Sequence, residues 1–313
     1  LIIIESFMVP PRAGATGRPR SNAVTLREGR HRGRIEPPAT VVAVIGSADA
    51  APRRLSDGKV GTADVVLHSD GVHRSAGPGA ASVHRLLAAL DAAGHEVPRP
   101  VSLDRAAGTE VLTWIDGTTP TLPWPAWIAD DELLADACRL LRRLHDSTAS
   151  LVDELRGPWW SWVHDVEPVA EVIRHGDPWP PNLVVRDGRA VAWIDWDLAQ
   201  PGRRIDDVAA FAKHWVPVMS DARALAHGWP SVPDRARRLR VVADAYGLDA
   251  ADRHELPDAI VEFGRVTAAS HRRWAADGHR TFAVMVARGI TDAIDDDATW
   301  AAEHRRQLCA ELH

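Results

Sequence analysis

Apolar and polar positions divide the chain into stretches of different texture. Residues 1 to about 50 carry no sustained period: Pro10, Pro11, Pro19, Pro37 and Pro38 are scattered among arginines, and residues 1–52 read as a disordered extension. The chain opens on leucine, which leaves open whether this extension belongs to the working protein. From Leu55 the texture changes. Residues 55–61 form a glycine-containing turn, 63–68 a strand, Ser69-Asp70-Gly71 a second turn and 72–74 a short strand, so a small antiparallel sheet is predicted. Residues 82–93 place Val83, Leu86, Leu87 and Leu90 on one helical face and end at Gly94, a residue suited to a C-terminal cap. Residues 111–117 read as a strand leaving the sheet.

The strongest helical period follows. Asp130, Asp131 and Glu132 stand at the start, and Leu133, Leu134, Ala137, Leu140, Leu141 and Leu144 share a face. Arg139, Arg142 and Arg143 load the last turns, the charge order that the helix dipole favours. After Asp207 the pattern is mostly helical, with Pro217, Gly228-Trp229-Pro230 and Pro257 as expected breaks.

Between these helices lies the candidate chemistry. Leu183–Arg186 is an apolar run, Asp187-Gly188 is a favoured two-residue hairpin turn, and 189–194 is a second apolar run. With Asp187 and Gly188 as the turn, Asn182 is expected opposite Trp193, with Asp195 just beyond and Asp177 on the loop leading in. Two carboxylates and an amide then converge at one end of the hairpin. Magnesium takes hard oxygen donors, commonly one or two carboxylates together with substrate phosphates, so Asn182 and Asp195 suit a metal and Asp177 is left to orient a hydroxyl.

The segment with His175, Asp177, Asn182, Ile194, Asp195, Gly202 and Asp207 resembles the aminoglycoside phosphotransferase and choline kinase-like family, whose pattern is H-x-D-x-x-x-x-N and then I-D-x-x-x-x-x-G-x-x-x-x-D. The resemblance covers about residues 53–220. It implies an α+β, two-lobed protein-kinase-like fold: an antiparallel-sheet N-lobe with hinge over 53–116 and a larger helical C-lobe over 117–313. It also implies Asp177 as the catalytic aspartate, Asn182 and Asp195 as magnesium ligands, and His175 and Asp207 as supports of the catalytic loop. Adenine would meet the backbone of Thr113, Trp114 and Ile115. Arg74 takes the basic position on the third strand that meets phosphates, with Lys59 in the glycine-containing turn as the substitute. The family's helix glutamate is replaced by Val83 and His84, so the usual ion pair to the basic residue is expected to be absent.

Composition narrows the alternatives. A net charge of −6 argues against a nucleic-acid or anionic-membrane partner. Two cysteines, Cys138 and Cys309, signal neither a disulfide framework nor a zinc site, and a reducing cytoplasm is expected. Thirteen tryptophans stand against one tyrosine, with no functional account in the sequence. The expected activity is magnesium-dependent transfer from ATP or GTP to a hydroxyl of a small, polyhydroxyl or cationic molecule. The run Asp292, Asp295, Asp296, Asp297 is a candidate attraction for an amine. A nucleotide-binding pseudokinase and a metal-dependent hydrolase built on His175, Asp177, Asp195 and Asp197 are the alternatives. Acceptor identity and oligomeric state are not encoded in any feature read here.

Overall fold

A computed structural model describes residues 52–56, 65–155, 157–161 and 170–312. Residues 1–51 and the turn containing Lys59 lie outside the described residues. β1 (Arg53–Ser56), β2 (Val65–His68), β3 (Gly71–Ser75), β4 (Pro100–Asp104) and β5 (Thr109–Leu112) form one antiparallel sheet in the order β1-β2-β3-β5-β4. α1 (Ala80–Ala92) follows β3 and packs toward β4, burying Leu86, Leu87 and Leu90 completely. The fold is α+β, an antiparallel sheet followed by a mostly helical body, as the two-lobed reading expects.

Gly117, at φ +146°, lets the connection from the sheet run close under the hairpin of residues 183–193, because a Cβ there would meet Val185 O at 2.8 Å. Beyond it, α2 (Asp131–Thr148) starts at Asp130, whose side chain accepts from Glu132 N. Its apolar face, Leu134, Ala137, Cys138 and Leu141, is buried against the strand Arg189–Trp193 and the helix Arg235–Tyr246. Two short antiparallel pairs carry the loop residues: β6 (Val172–Arg174) with β9 (Gln200–Gly202), and β7 (Leu183–Arg186) with β8 (Arg189–Trp193). The helical body continues through α3 (Arg204–Trp215), α4 (Asp221–Ala226), α5 (Arg235–Tyr246), α6 (Ala250–Ala276), α7 (Arg280–Ala287), α8 (Ile290–Glu303) and α9 (Arg305–Leu308). α6 packs on α3, α7 and α8. Among the described residues no helix is long and apolar enough to cross a membrane.

The tryptophans now have a role. Trp193, Trp196 and Trp215 are fully or almost fully buried behind the hairpin. Phe211 stacks on Trp215 at 5.5 Å, and Trp193 meets Trp215 edge to face at 6.4 Å. Arg238 stitches this core to α2: its guanidinium donates to the carbonyls of Trp215, Ile128 and Ala129 and to Asp131.

Four expectations change. β4 is absent from the sequence reading because it is an edge strand that buries little, with Val101 52% exposed, and so carries no apolar alternation. The strand expected over 111–117 ends at Leu112, where the chain leaves its neighbours. Pro257 does not break a helix: α6 runs through it, since burial against α3 and α8 offsets the one backbone bond that proline removes. Three of the four acids of the run are paired within the protein. Arg272 pairs with Asp292 and Asp295, while Asp297 is buried beside Lys213 and Arg223.

Candidate active site

The β6–β9 pair brings its two ends together and presents everything between them as one loop cluster. Gly176 makes the first turn possible. Its φ is +82°, and a Cβ would run into the Leu198 carbonyl, so the loop and the strand approaching β9 can lie this close only at glycine. Trp179 N donates to Asp177 O at 2.9 Å and Asn182 N to Trp179 O at 3.0 Å, and Pro180 and Pro181 stiffen the turn so formed. Trp179 itself is a packing residue, buried edge-on to Trp124 and against His214.

Asp207 anchors this loop from beneath. Fully buried on the first turns of α3, it accepts from His175 N at 2.7 Å, Gly176 N at 2.9 Å and His145 Nε2 at 3.0 Å. Burial alone would raise this carboxyl. The hydrogen bond and charge of His145, with the charge of Arg174, outweigh it and hold the group at about 2. His145, at the end of α2, is fixed in turn by Tyr246 Oη at 2.6 Å. His175 accepts from Asp177 N at its Nδ1 and donates from Nε2 to Ile194 O at 3.1 Å, which defines a neutral imidazole; burial lowers its pKa in agreement.

The hairpin turn is Asp187-Gly188, both at positive φ. Its register departs from expectation by one residue near the site. A bulge between Val184 and Val185 pairs Leu183, not Asn182, with Trp193, and Asn182 O instead accepts from Ile194 N at 2.9 Å. The extra residue is Val191, which falls between the partners of Val184 and Val185, and the bulge brings Asp195 nearer to Asn182 along the ladder. Asn182 Nδ2 donates to Asp177 O and Oδ2, each at 3.0 Å, leaving Oδ1 outside these bonds. Asp195 sits at φ 62° and ψ 65°, a left-handed conformation costly for a residue with a Cβ. Asp177, Asn182 and Asp195 therefore meet at one end of the hairpin.

Their electrostatics differ. Burial, and then the charge of Asp195, push the Asp177 carboxyl up to about 7. Asp195 is also penalised by burial, while the charge and hydrogen bond of Arg74 favour its ionised form. These oxygens form a hard donor set. No cluster of three or more His, Cys, Asp or Glu side chains that could hold a metal occurs among the described residues, and a magnesium ion shared with substrate phosphates needs only one or two protein carboxylates.

Arg74 reaches the same place from β3. Its guanidinium contacts Asp195 at 3.1 Å, Asp197, and Glu110 at 2.9 Å. The helix acid is absent, as expected, and an acid of β5 takes its place: Glu110 lies directly opposite Arg74 in the ladder, and His84 of α1 binds its second oxygen at 2.6 Å. The strand register could have revealed Glu110, since opposite charges facing each other across a ladder form pairs. Asp197 lay two residues from Asp195, but that it would share Arg74 depends on the local turn.

Of the hinge residues, Thr113 N donates to Arg99 O at 2.9 Å and is already engaged. Trp114 stacks against Arg53 and donates from its indole to Asp116, while the backbones of Trp114 and Ile115 make no hydrogen bond among the described residues. Thr118 pairs with Val185, joining this segment to the hairpin.

The phosphotransferase enzyme family model matches residues 148–240, which contain the whole loop cluster. The trifolitoxin immunity protein of Rhizobium leguminosarum bv. trifolii is 31% identical over 251 residues, covering 77% of this chain and 92% of that protein. Among solved structures, a choline/ethanolamine kinase family protein from Mesorhizobium loti aligns with TM-score 0.55 at 16% identity, over 85% of this chain and 93% of that one. A microcompartment-associated aminopropanol kinase aligns with TM-score 0.52 at 16% identity, over 85% and 95%. Those two likenesses establish the shared fold. With a relative at 31% identity spanned almost end to end, and a family match across the loop cluster, the chain belongs to the phosphotransferase enzyme family, the aminoglycoside phosphotransferase and choline kinase-like enzymes whose acceptors are alcohols.

Proposed function

We propose that this protein transfers the terminal phosphoryl group of ATP or GTP, taken as a magnesium complex, to a hydroxyl of a small molecule. The observation that supports it best is the meeting of Asp177, Asn182 and Asp195 at one end of a hairpin, locked from below by Asp207. Asp177 orients the attacking hydroxyl and accepts its proton at the oxygen not held by Asn182. A carboxyl near 7 is suited to that exchange. Asp195 and Asn182 Oδ1 would hold magnesium, which when bound neutralises phosphate charge and ties the phosphates to the hairpin. Arg74 adds a fixed guanidinium for phosphate oxygens, and the unengaged backbone of Trp114 and Ile115 offers a donor and an acceptor to the base. Chemistry of this kind is mostly positioning and charge neutralisation, and the site is built from rigid parts.

The acceptor has two readings. The kinase folds aligned above suggest an amino alcohol, whereas the trifolitoxin immunity protein suggests a hydroxyl on a toxin, disarmed by its phosphorylation. A pseudokinase is disfavoured because all three cleft residues are present and connected. The test is nucleotide consumption by purified protein against a panel of amino alcohols, aminoglycosides, sugars and hydroxyl-bearing peptide toxins, with Asp177→Asn as the blank. Consumption above the blank with one acceptor class supports the reading. Nucleotide binding with no turnover above the blank on any class favours the pseudokinase, and no nucleotide binding refutes both.

A further inference from the structure

Arg74 is the side chain on which three acids depend, and they are not equivalent. Asp195 and Asp197 hold its two terminal nitrogens from the end of the hairpin, where the phosphates and their metal are proposed to lie. Glu110 holds Nε from within the sheet, 2.9 Å away and only 2% exposed. Neither Arg74 Nε nor Glu110 Oε1 has a hydrogen-bond partner, so each is compensated by the charge of the other. The second carboxylate oxygen, Oε2, meets His84 Nε2 at 2.6 Å, and His84 projects from α1 with its side chain largely buried. Cations arriving at the hairpin compete with Arg74 for Asp195 and Asp197, and phosphates compete with these two acids for Arg74. They do not reach Glu110, which belongs to the β3–β5 ladder.

We propose that Glu110 and His84 are a positioning pair for Arg74: Glu110 fixes the inner nitrogen of the guanidinium, and His84 fixes the carboxylate plane of Glu110, so that the two outer nitrogens stay aimed at the nucleotide phosphates when Asp195 turns to a metal. This rests on the phosphotransferase reading and adds to it a chain of contacts from α1 through β5 to β3. The pair also accounts for histidine at position 84. An apolar residue there would leave a buried carboxylate oxygen without a donor, whereas an acid would set two negative charges face to face.

The experiment measures affinity for a fluorescent ATP analogue with magnesium in folded wild type, R74A, E110Q, R74A/E110Q, H84L and H84Q. E110Q, which removes the charge facing Arg74, and H84L, which removes the hydrogen bond to Glu110, are each expected to weaken nucleotide binding about tenfold, and H84Q, which restores a donor, to recover most of the loss. R74A/E110Q should bind no worse than R74A, because Glu110 acts only through Arg74. If R74A binds weakly while E110Q and H84L bind like wild type, or if the R74A and E110Q losses add, the positioning pair is wrong and the phosphotransferase reading stands. If wild type binds no nucleotide, both fall. Should E110Q not fold, the comparison of H84L with H84Q decides the matter by the same criterion.

Discussion

Replacing Asp207 by Asn keeps the shape of the side chain and removes its charge. Asp207 accepts three hydrogen bonds, at 2.7, 2.9 and 3.0 Å, from His175 N, Gly176 N and His145 Nε2. An asparagine has one oxygen to offer, so its amide must oppose one of these donors in either orientation. Leaving a buried donor unmet and turning the others into neutral bonds costs about 3 kcal/mol. The acidity of the carboxyl, which reflects the same contacts, points to a similar magnitude: a group held at about 2 in the folded protein, against an ordinary 3.8, stabilises the fold at neutral pH by about 2 kcal/mol. The sign follows from the lowered value: the contribution is complete above pH 3.8 and is lost as pH falls through about 2. Urea unfolding followed by tryptophan fluorescence is the natural assay, since Trp193, Trp196 and Trp215 are buried close to the loop. The Asp207→Asn deficit should be constant between pH 5 and 8 to within about 0.5 kcal/mol, as expected where Asp207 is ionised in both states. A variant as stable as wild type at pH 7, or a deficit that vanishes between pH 8 and 5, would refute the anchor. In the folded variant, turnover should fall more than nucleotide affinity, because the disturbed residues lead directly into Asp177.

Separating the two cleft carboxylates is the second test: Asp195→Ala should lose magnesium-dependent nucleotide affinity and turnover together, while Asp177→Ala should bind nucleotide nearly normally and lose most turnover; an active Asp177→Ala would contradict the assigned roles. Asp177→Asn should also stabilise the metal-free protein, because a carboxyl pushed up to about 7 opposes folding increasingly as pH rises from 3.8 to 7. Its gain in urea midpoint should grow over that range and level off above it, and a gain independent of pH would show that Asp177 is not so placed. Gly176→Ala should cost about 1–2 kcal/mol for the left-handed backbone alone, and turnover should drop further as the Leu198 carbonyl displaces Asp177; wild-type turnover would mean the loop does not need this close approach. Acid unfolding should begin well above the Asp207 range, because burial first, helped by nearby cations, lowers His227 and His271 from 6.5 to about 4. An unfolded chain protonates those imidazoles first, so stability should fall as pH drops from 6.5 to 4, and the two histidines outweigh the single opposing contribution of Asp177. His271→Gln should flatten that slope, and an unchanged slope would exclude His271 as a source.

Local chemistry made much of the site legible in advance. Asp187-Gly188 between two apolar runs dictates a hairpin, and a hairpin brings the residues before and after it together, so Asp177, Asn182 and Asp195 could be placed at one end from spacing alone. The face of α2 was equally plain, because Leu134, Ala137 and Leu141 recur with the helical period. What depended on tertiary structure involves contacts that no local pattern encodes. The bulge opposite Val184–Val185 shifts the register by one beyond the turn, and the turn residues do not specify it. Pro257 continues a helix because neighbouring helices cover it. The acids at 292–297 have the composition of one patch, yet the helical turn sends Asp292 and Asp295 to Arg272 and Asp297 to Lys213. Arg74 could be recognised as the basic residue of its strand, but its partner Glu110 is 36 positions away and becomes adjacent only when β3 pairs with β5. Electrostatic compensation acts over a few ångströms in space without regard to separation along the chain. The sequence therefore specified the groups at the site, while the tertiary fold decided which of them neutralise one another.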